Sequence, residues 1–172
     1  MNAAERRDAI LRALSASDGP VSASQLAAKF AVSRQIIVGD VALLRAGGAD
    51  ISATPRGYVL GGQSAGLLRT IACRHDRAGT EEELNIMVDN GCTVLDVVVE
   101  HPVYGQLTGQ LQIASRYDVR QFVERLDQED TKPLSALTDG IHLHNLRCPD
   151  EAAFRRTCAA LREAGYLLEE EK

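Results

Sequence analysis

Apolar positions in the first 46 residues recur at helical spacing in three blocks. Ala3, Ile10, Leu11 and Leu14 predict a helix from Ala3 to Ala16, which Asp18-Gly19-Pro20 stops. Ser22, followed three residues later by Gln25, has the spacing of a capping box and opens a second helix through Leu26, Ala27 and Phe30. After the turn Ala31-Val32, Ser33 is placed to cap a third helix, which runs through Ile36, Ile37, Val41 and Leu44 to about Arg45. Beyond Gly47-Gly48 the period shortens. Ile51-Ser52-Ala53 and Tyr58-Val59-Leu60 flank Thr54-Pro55-Arg56-Gly57, the pattern of a hairpin whose turn is set by proline and glycine.

From residue 67 onward, strand and helix patterns alternate. "LLRTIACRH" reads as a strand, and "GTEEELNIMVDNG" as a helix with acids in its first turn and glycine past its end. "CTVLDVVVEH" and "LTGQLQIAS" read as two strands joined around Pro102-Val-Tyr-Gly105. Ser115 caps a helix through Val119, Phe122, Val123 and Leu126, and a loop containing Pro133 follows. "GIHLHNLRC" is a further strand, and Asp150 caps a last helix in which Phe154, Cys158 and Leu161 share a stripe. The order β-α-β-β-α-β-α predicts an α+β protein: an N-terminal winged helix-turn-helix and a C-terminal α/β sandwich with a mostly antiparallel sheet.

Charge divides the chain in the same place. Residues 1–62 hold seven Lys/Arg against five Asp/Glu, and residues 63–172 hold 12 against 19. An N-terminal module that meets phosphate and an acidic C-terminal module that does not are the expectation, with Gly61 to Gly66 as linker. With 45% hydrophobic residues, no apolar run of membrane-spanning length and no signal-peptide pattern in "MNAAERRDAILRAL", a cytoplasmic protein is expected. Cys73, Cys92, Cys148 and Cys158 are dispersed without a C-x-x-C pair and read as small core residues.

Two short helices joined by a tight turn, with the second opening Ser-Arg-Gln, form the helix-turn-helix pattern. Ser33, Arg34 and Gln35 would then lie near the major groove, and Arg56 at the wing tip would meet phosphate or the minor groove. Gly39 inside the third helix is discordant, because glycine there costs about 1 kcal/mol relative to alanine. All four histidines lie in the second half. Residues two apart on a strand point the same way, so His142 and His144 share a face, and Ile141 and Leu143 are expected to line an apolar core behind them. His75 closes the first strand, and of Glu81, Glu82 and Glu83 the last is placed to oppose it. Imidazoles with a carboxylate suit a transition metal, yet each histidine taken singly reads as an ordinary hydrogen-bonded residue.

The stretch from Val21 to Leu60 resembles the winged helix of biotin-repressor type. Together with "RHDRAGTEEELNIMVDNG", "VVVEHPVYGQL" and "DGIHLHN", the chain is similar to the niacin-responsive transcriptional repressors, whose second half is the three-histidine (3H) domain. The resemblance implies a repressor of niacin uptake or NAD-precursor synthesis genes, with nicotinic acid as corepressor and no enzymatic activity. It further implies a divalent nickel, zinc or iron ion on His75, Glu83, His142 and His144, with His101 near the effector. Relatives tend to carry a larger polar residue in place of Gly39. A homodimer on operator double-stranded DNA is expected, because such modules read two half-sites. The competing readings are a regulator for which metal itself is the signal, and a metal-dependent hydrolase fused to a winged helix.

Overall fold

The computed structural model describes residues 1–61 and 66–169, so most of the expected linker, residues 62 to 65, lies outside the described residues. The chain divides into two compact units, Met1–Ser64 and Ala65–Lys172.

The first unit comprises α1 (Ala3–Ser15), α2 (Ala23–Phe30), α3 (Arg34–Ala46) and the antiparallel pair β1 (Ile51–Thr54) and β2 (Gly57–Leu60). Its helix starts are set by local side chains. Ser22 and Gln25 form the reciprocal capping box of α2, and the Ser33 hydroxyl accepts from the Ile36 N–H at the start of α3. A second capping box, Asn2 with Glu5, opens α1 and was not among the expected features. Ile10, Leu14, Leu26, Ile37, Val41 and Ile51 form the core. Buried Asp40 of α3 pins α1, lying 2.6 Å from Arg6 Nε and 3.6 Å from Arg7. Val21 and Tyr58 exchange two backbone hydrogen bonds of 2.9 Å, which anchor the wing. Gly57 makes that approach feasible: its φ is +139°, and a Cβ there would lie 2.5 Å from the Val21 backbone.

The second unit runs β3 (Leu67–Arg74), α4 (Thr80–Asp89), β4 (Thr93–His101), β5 (Gly105–Ile113), α5 (Arg116–Gln128), β6 (Ile141–Cys148) and α6 (Glu151–Glu163), the predicted order. Short 3-10 turns lie at Arg77–Gly79, leading into α4, and at Leu134–Thr138, in the stretch after α5 expected to be loop. Neighbouring strands pair antiparallel in the order β3-β6-β4-β5. β3 and β4, joined through α4, therefore run parallel with β6 inserted between them. Ile71, Leu111, Ile113 and Leu146 on the sheet pack against Leu84 and Met87 of α4, Val119 of α5 and Leu161 of α6.

One expectation is reversed. His142 and His144 are buried on the same face as Leu146 and Cys148, beneath the helices, whereas Ile141 is 41% exposed on the opposite face. The histidines share the core side, because that is the side on which α4 brings a carboxylate to meet them. The four cysteines are free, and only Cys158 is not fully buried, as small core residues would be. Burial pushes the Cys148 thiol up to about 12. Among the described residues, no helix is long and apolar enough to cross a membrane.

Candidate metal centre and nucleic-acid interface

β3, β6 and α4 meet at one carboxylate. Glu83, 1% exposed, lies 2.7 Å from His75 Nε2, 2.9 Å from His142 Nε2 and 3.4 Å from His144 Nε2. Each imidazole is oriented from behind. His75 Nδ1 donates to the Asp76 carbonyl at 2.6 Å, His142 Nδ1 to the Gly140 carbonyl at 2.8 Å, and His144 Nδ1 to the Asp96 carbonyl at 2.6 Å. A carbonyl only accepts, so each of these bonds places the proton on Nδ1 and leaves the Nε2 lone pair facing Glu83. Lone pairs and a carboxylate repel unless a cation lies between them.

Protons are one way to supply that charge. Burial alone would raise the Glu83 carboxyl, but the charge of His144 and the contacts from all three imidazoles outweigh it and hold the group well below the usual range. Burial alone would lower His75 and His144, and the contact with Glu83 and its charge raise both instead. Protonating all three rings, however, would set three buried positive charges against one negative charge. His75 Nε2, moreover, is buried and out of line for a hydrogen bond despite its proximity to Glu83. Three neutral Nε2 donors and one carboxylate, each imidazole fixed through Nδ1, fit a divalent transition metal on both counts.

Cys73 was not anticipated here. Its Sγ lies within 4.8 Å of the ligating atoms of Glu83 and His142, because Cys73 pairs across the sheet with His142 and shares a face with His75 two residues on. That spacing of two was the available signal. Burial pushes its thiol upward, and the charge of Glu83 adds to the effect. Gly140 is equally specific to the place: its φ is +88°, and a Cβ would sit 2.3 Å from the His75 carbonyl oxygen. Gly79 is closely packed too, since a Cβ there would come within 3.0 Å of the His75 ring and Tyr166.

The cluster opens on a small cavity of about 30 Å³ walled by Leu84, Val97, Leu111, Phe122 and Pro133, with Thr80 and Ser135 beside them. His101 does not line this pocket. It ends β4, where its Nδ1 accepts from the Val103 and Tyr104 N–H groups at 3.1 and 3.3 Å, holding the hairpin turn. Glu81 and Glu82 are exposed, and Glu82 accepts from the Tyr166 hydroxyl.

In the first unit, Arg34 and Gln35 are exposed at the start of α3, and Ser33 uses its hydroxyl to cap that helix. Ile36 and Leu43 are 43% and 59% exposed. Arg56 occupies the wing turn, where its N–H donates to Thr54 Oγ1 at 3.2 Å. Nothing lies within 4 Å of where a Gly39 Cβ would be, so packing within the unit does not require glycine there.

An HTH domain family matches residues 6–59, and the 3H domain family matches residues 68–170. The chain belongs to the 3H-domain transcription repressors. It is 45% identical over 166 residues to the probable transcription repressor NiaR of Thermotoga maritima, covering 96% of this chain and 95% of that one. It is likewise 45% identical over 171 residues to the transcription repressor NadR of Bacillus subtilis, covering 97% of this chain and 95% of that one. A DNA-binding repressor of this type is a regulator rather than an enzyme, and the hydrolase reading is set aside. The likeness over nearly the whole chain joins the helix-turn-helix and the histidine cluster in one regulator.

Proposed function

We propose that this repressor is niacin-responsive: it holds a divalent nickel, zinc or iron ion on His75, Glu83, His142 and His144 and takes nicotinic acid as corepressor. The observation that carries the reading is the convergence of three Nε2 lone pairs on one buried carboxylate, each ring held by a backbone carbonyl. A bound ion would supply a Lewis-acidic centre for a carboxylate or a pyridine nitrogen. The chain's own residues do the rest. The Asp76, Gly140 and Asp96 carbonyls fix the imidazoles, and Leu84, Val97, Leu111 and Phe122 offer apolar walls of the kind a flat ring prefers. Holding β3, α4 and β6 around a ligand would stiffen the second unit.

Operator DNA is read by Arg34 and Gln35 of α3 and by Arg56 of the wing, with Ser33 positioning the helix. Two half-sites spaced by one helical turn, about 34 Å, or a multiple of it, call for a C2 homodimer. The acidic second unit supplies its interface, and the corepressor favours the dimer geometry that fits DNA. The genes controlled are those for acquiring or making NAD precursors, and the protein works in the cytoplasm. His101, which holds the hairpin turn after β4, is the further histidine placed near the effector in this reading.

Titration of metal-loaded protein with nicotinate, nicotinamide and further metal, following binding to its own promoter DNA, tests the proposal. Nicotinate is expected to tighten DNA binding. Unchanged affinity with nicotinate, together with a response to metal, would leave a metal-responsive regulator instead. Elemental analysis of His142→Ala tests the metal separately: the variant is expected to lose its ion.

A further inference from the structure

One polar group at the pocket has no task in holding a metal. Thr80 is 8% exposed, its Oγ1 is buried without a hydrogen-bond partner, and it lines the same pocket as Glu83 and the three histidines. An unpaired buried hydroxyl is unfavourable and uncommon in a folded protein, so its partner is to be sought in what enters the pocket. Thr80 is the first residue of α4 and stands three residues before Glu83, which puts both side chains on one helix face. The residue before it, Gly79, offers no side chain to cap the helix. The Thr80 hydroxyl and the Glu83 carboxylate therefore meet the pocket from one face of α4. The other two acids of the first turn, Glu81 and Glu82, are exposed to solvent.

The rest of the pocket's lining is largely apolar, from Leu84, Val97, Leu111 and Phe122. A small planar ring carrying one anionic group matches that division into apolar wall and polar rim. We propose that Thr80 Oγ1 is the specificity-determining donor to a carboxylate oxygen of the effector, and that it distinguishes the acid from the amide of the same shape. The inference rests on the nicotinate reading above and adds to it the residue that selects the effector. A hydroxyl donating to a carboxylate makes a charge-assisted bond, and one donating to an amide oxygen makes a neutral bond of about half the strength.

Calorimetric titration of metal-loaded full-length protein with nicotinate and nicotinamide tests this, using wild type, Thr80→Val and Thr80→Ser. Valine keeps the shape and removes the donor; serine keeps the donor. Thr80→Val is expected to weaken nicotinate binding about tenfold or more while retaining metal stoichiometry and the thermal midpoint, and to narrow the preference for acid over amide. Thr80→Ser is expected to stay within about threefold of wild type. Wild-type affinity for nicotinate in Thr80→Val would overturn the role given to Thr80 and leave the nicotinate reading standing. Loss of metal in Thr80→Val would overturn it too, since the hydroxyl would then be building the cluster rather than selecting the ligand. Absence of nicotinate binding in the wild type would remove the underlying reading, and this inference with it.

Discussion

Replacing Gly140 by alanine should damage the fold and the histidine cluster together, and the two effects can be separated. The backbone at Gly140 has φ +88°, where a Cβ costs about 1–2 kcal/mol. The new Cβ would also sit 2.3 Å from the His75 carbonyl oxygen, and reaching the 3.4 Å of ordinary contact requires β3 and β6 to part there by about 1.1 Å, the difference between those values. Backbone atoms cannot rotate away as a side-chain tip can. The Gly140 carbonyl now accepts from His142 Nδ1 at 2.8 Å and from the His75 N–H at 3.4 Å, and disturbing those bonds adds about 1–3 kcal/mol. Gly140→Ala should therefore lose about 2–5 kcal/mol of stability in urea unfolding of the metal-free protein. Misplaced imidazoles should lower metal affinity about 10- to 100-fold in a chelator competition. Gly165 is the control: its φ is +81°, but nothing lies within 4 Å of its would-be Cβ. Gly165→Ala should lose only the backbone part, about 1–2 kcal/mol, and bind metal as wild type does. If Gly140→Ala matched Gly165→Ala in urea and held metal within about twofold of wild type, the close approach to His75 would not be what positions the cluster.

Three further outcomes are expected. The raised pKa values of His75 and His144 stabilise the metal-free fold fully below their ordinary 6.5 and less as pH rises through the raised values. The lowered Glu83 contributes above its ordinary 4.5 and is lost only as pH falls through its depressed value. The urea midpoint of metal-free protein should consequently be higher at pH 5.5 than at pH 8.5, and a midpoint that rises with pH would contradict the charge arrangement. Asp40→Ala should cost about 2 kcal/mol or more by leaving Arg6 and Arg7 without their buried partner, seen as faster hydrogen exchange in α1 and α3; unchanged exchange would refute it. Gly39→Ala should stabilise the first unit by about 0.5–1 kcal/mol, since its Cβ meets open space in an ordinary helix, and a lower thermal midpoint would show that the glycine serves the fold.

The elements of both units were legible because their causes are local. Ser22 with Gln25, Ser33, Ser115 and Asp150 mark helix starts by hydrogen bonds that span three residues, so spacing along the chain is enough to find them. The shared face of His142 and His144 was legible for the same reason, being a property of one strand. Which face that is was not. It depends on where the helices pack, and the wrong choice followed from treating Ile141 and Leu143 as the more hydrophobic side. The partners of His101, the Val103 and Tyr104 N–H groups, were not legible either, being a matter of turn geometry that its motif does not encode.

Sequence by itself determined two modules, the order of their elements and the residue types able to hold a metal. Tertiary structure decided that β6 lies between β3 and β4, an arrangement that no local pattern encodes because β6 is distant in sequence from both. That insertion sets the His142–His144 strand beside the end of β3 and under the helix that crosses from β3 to β4. Glu83 can then touch all three histidines, and Cys73, Thr80 and Gly140 acquire a place at the site because strands and helix converge there.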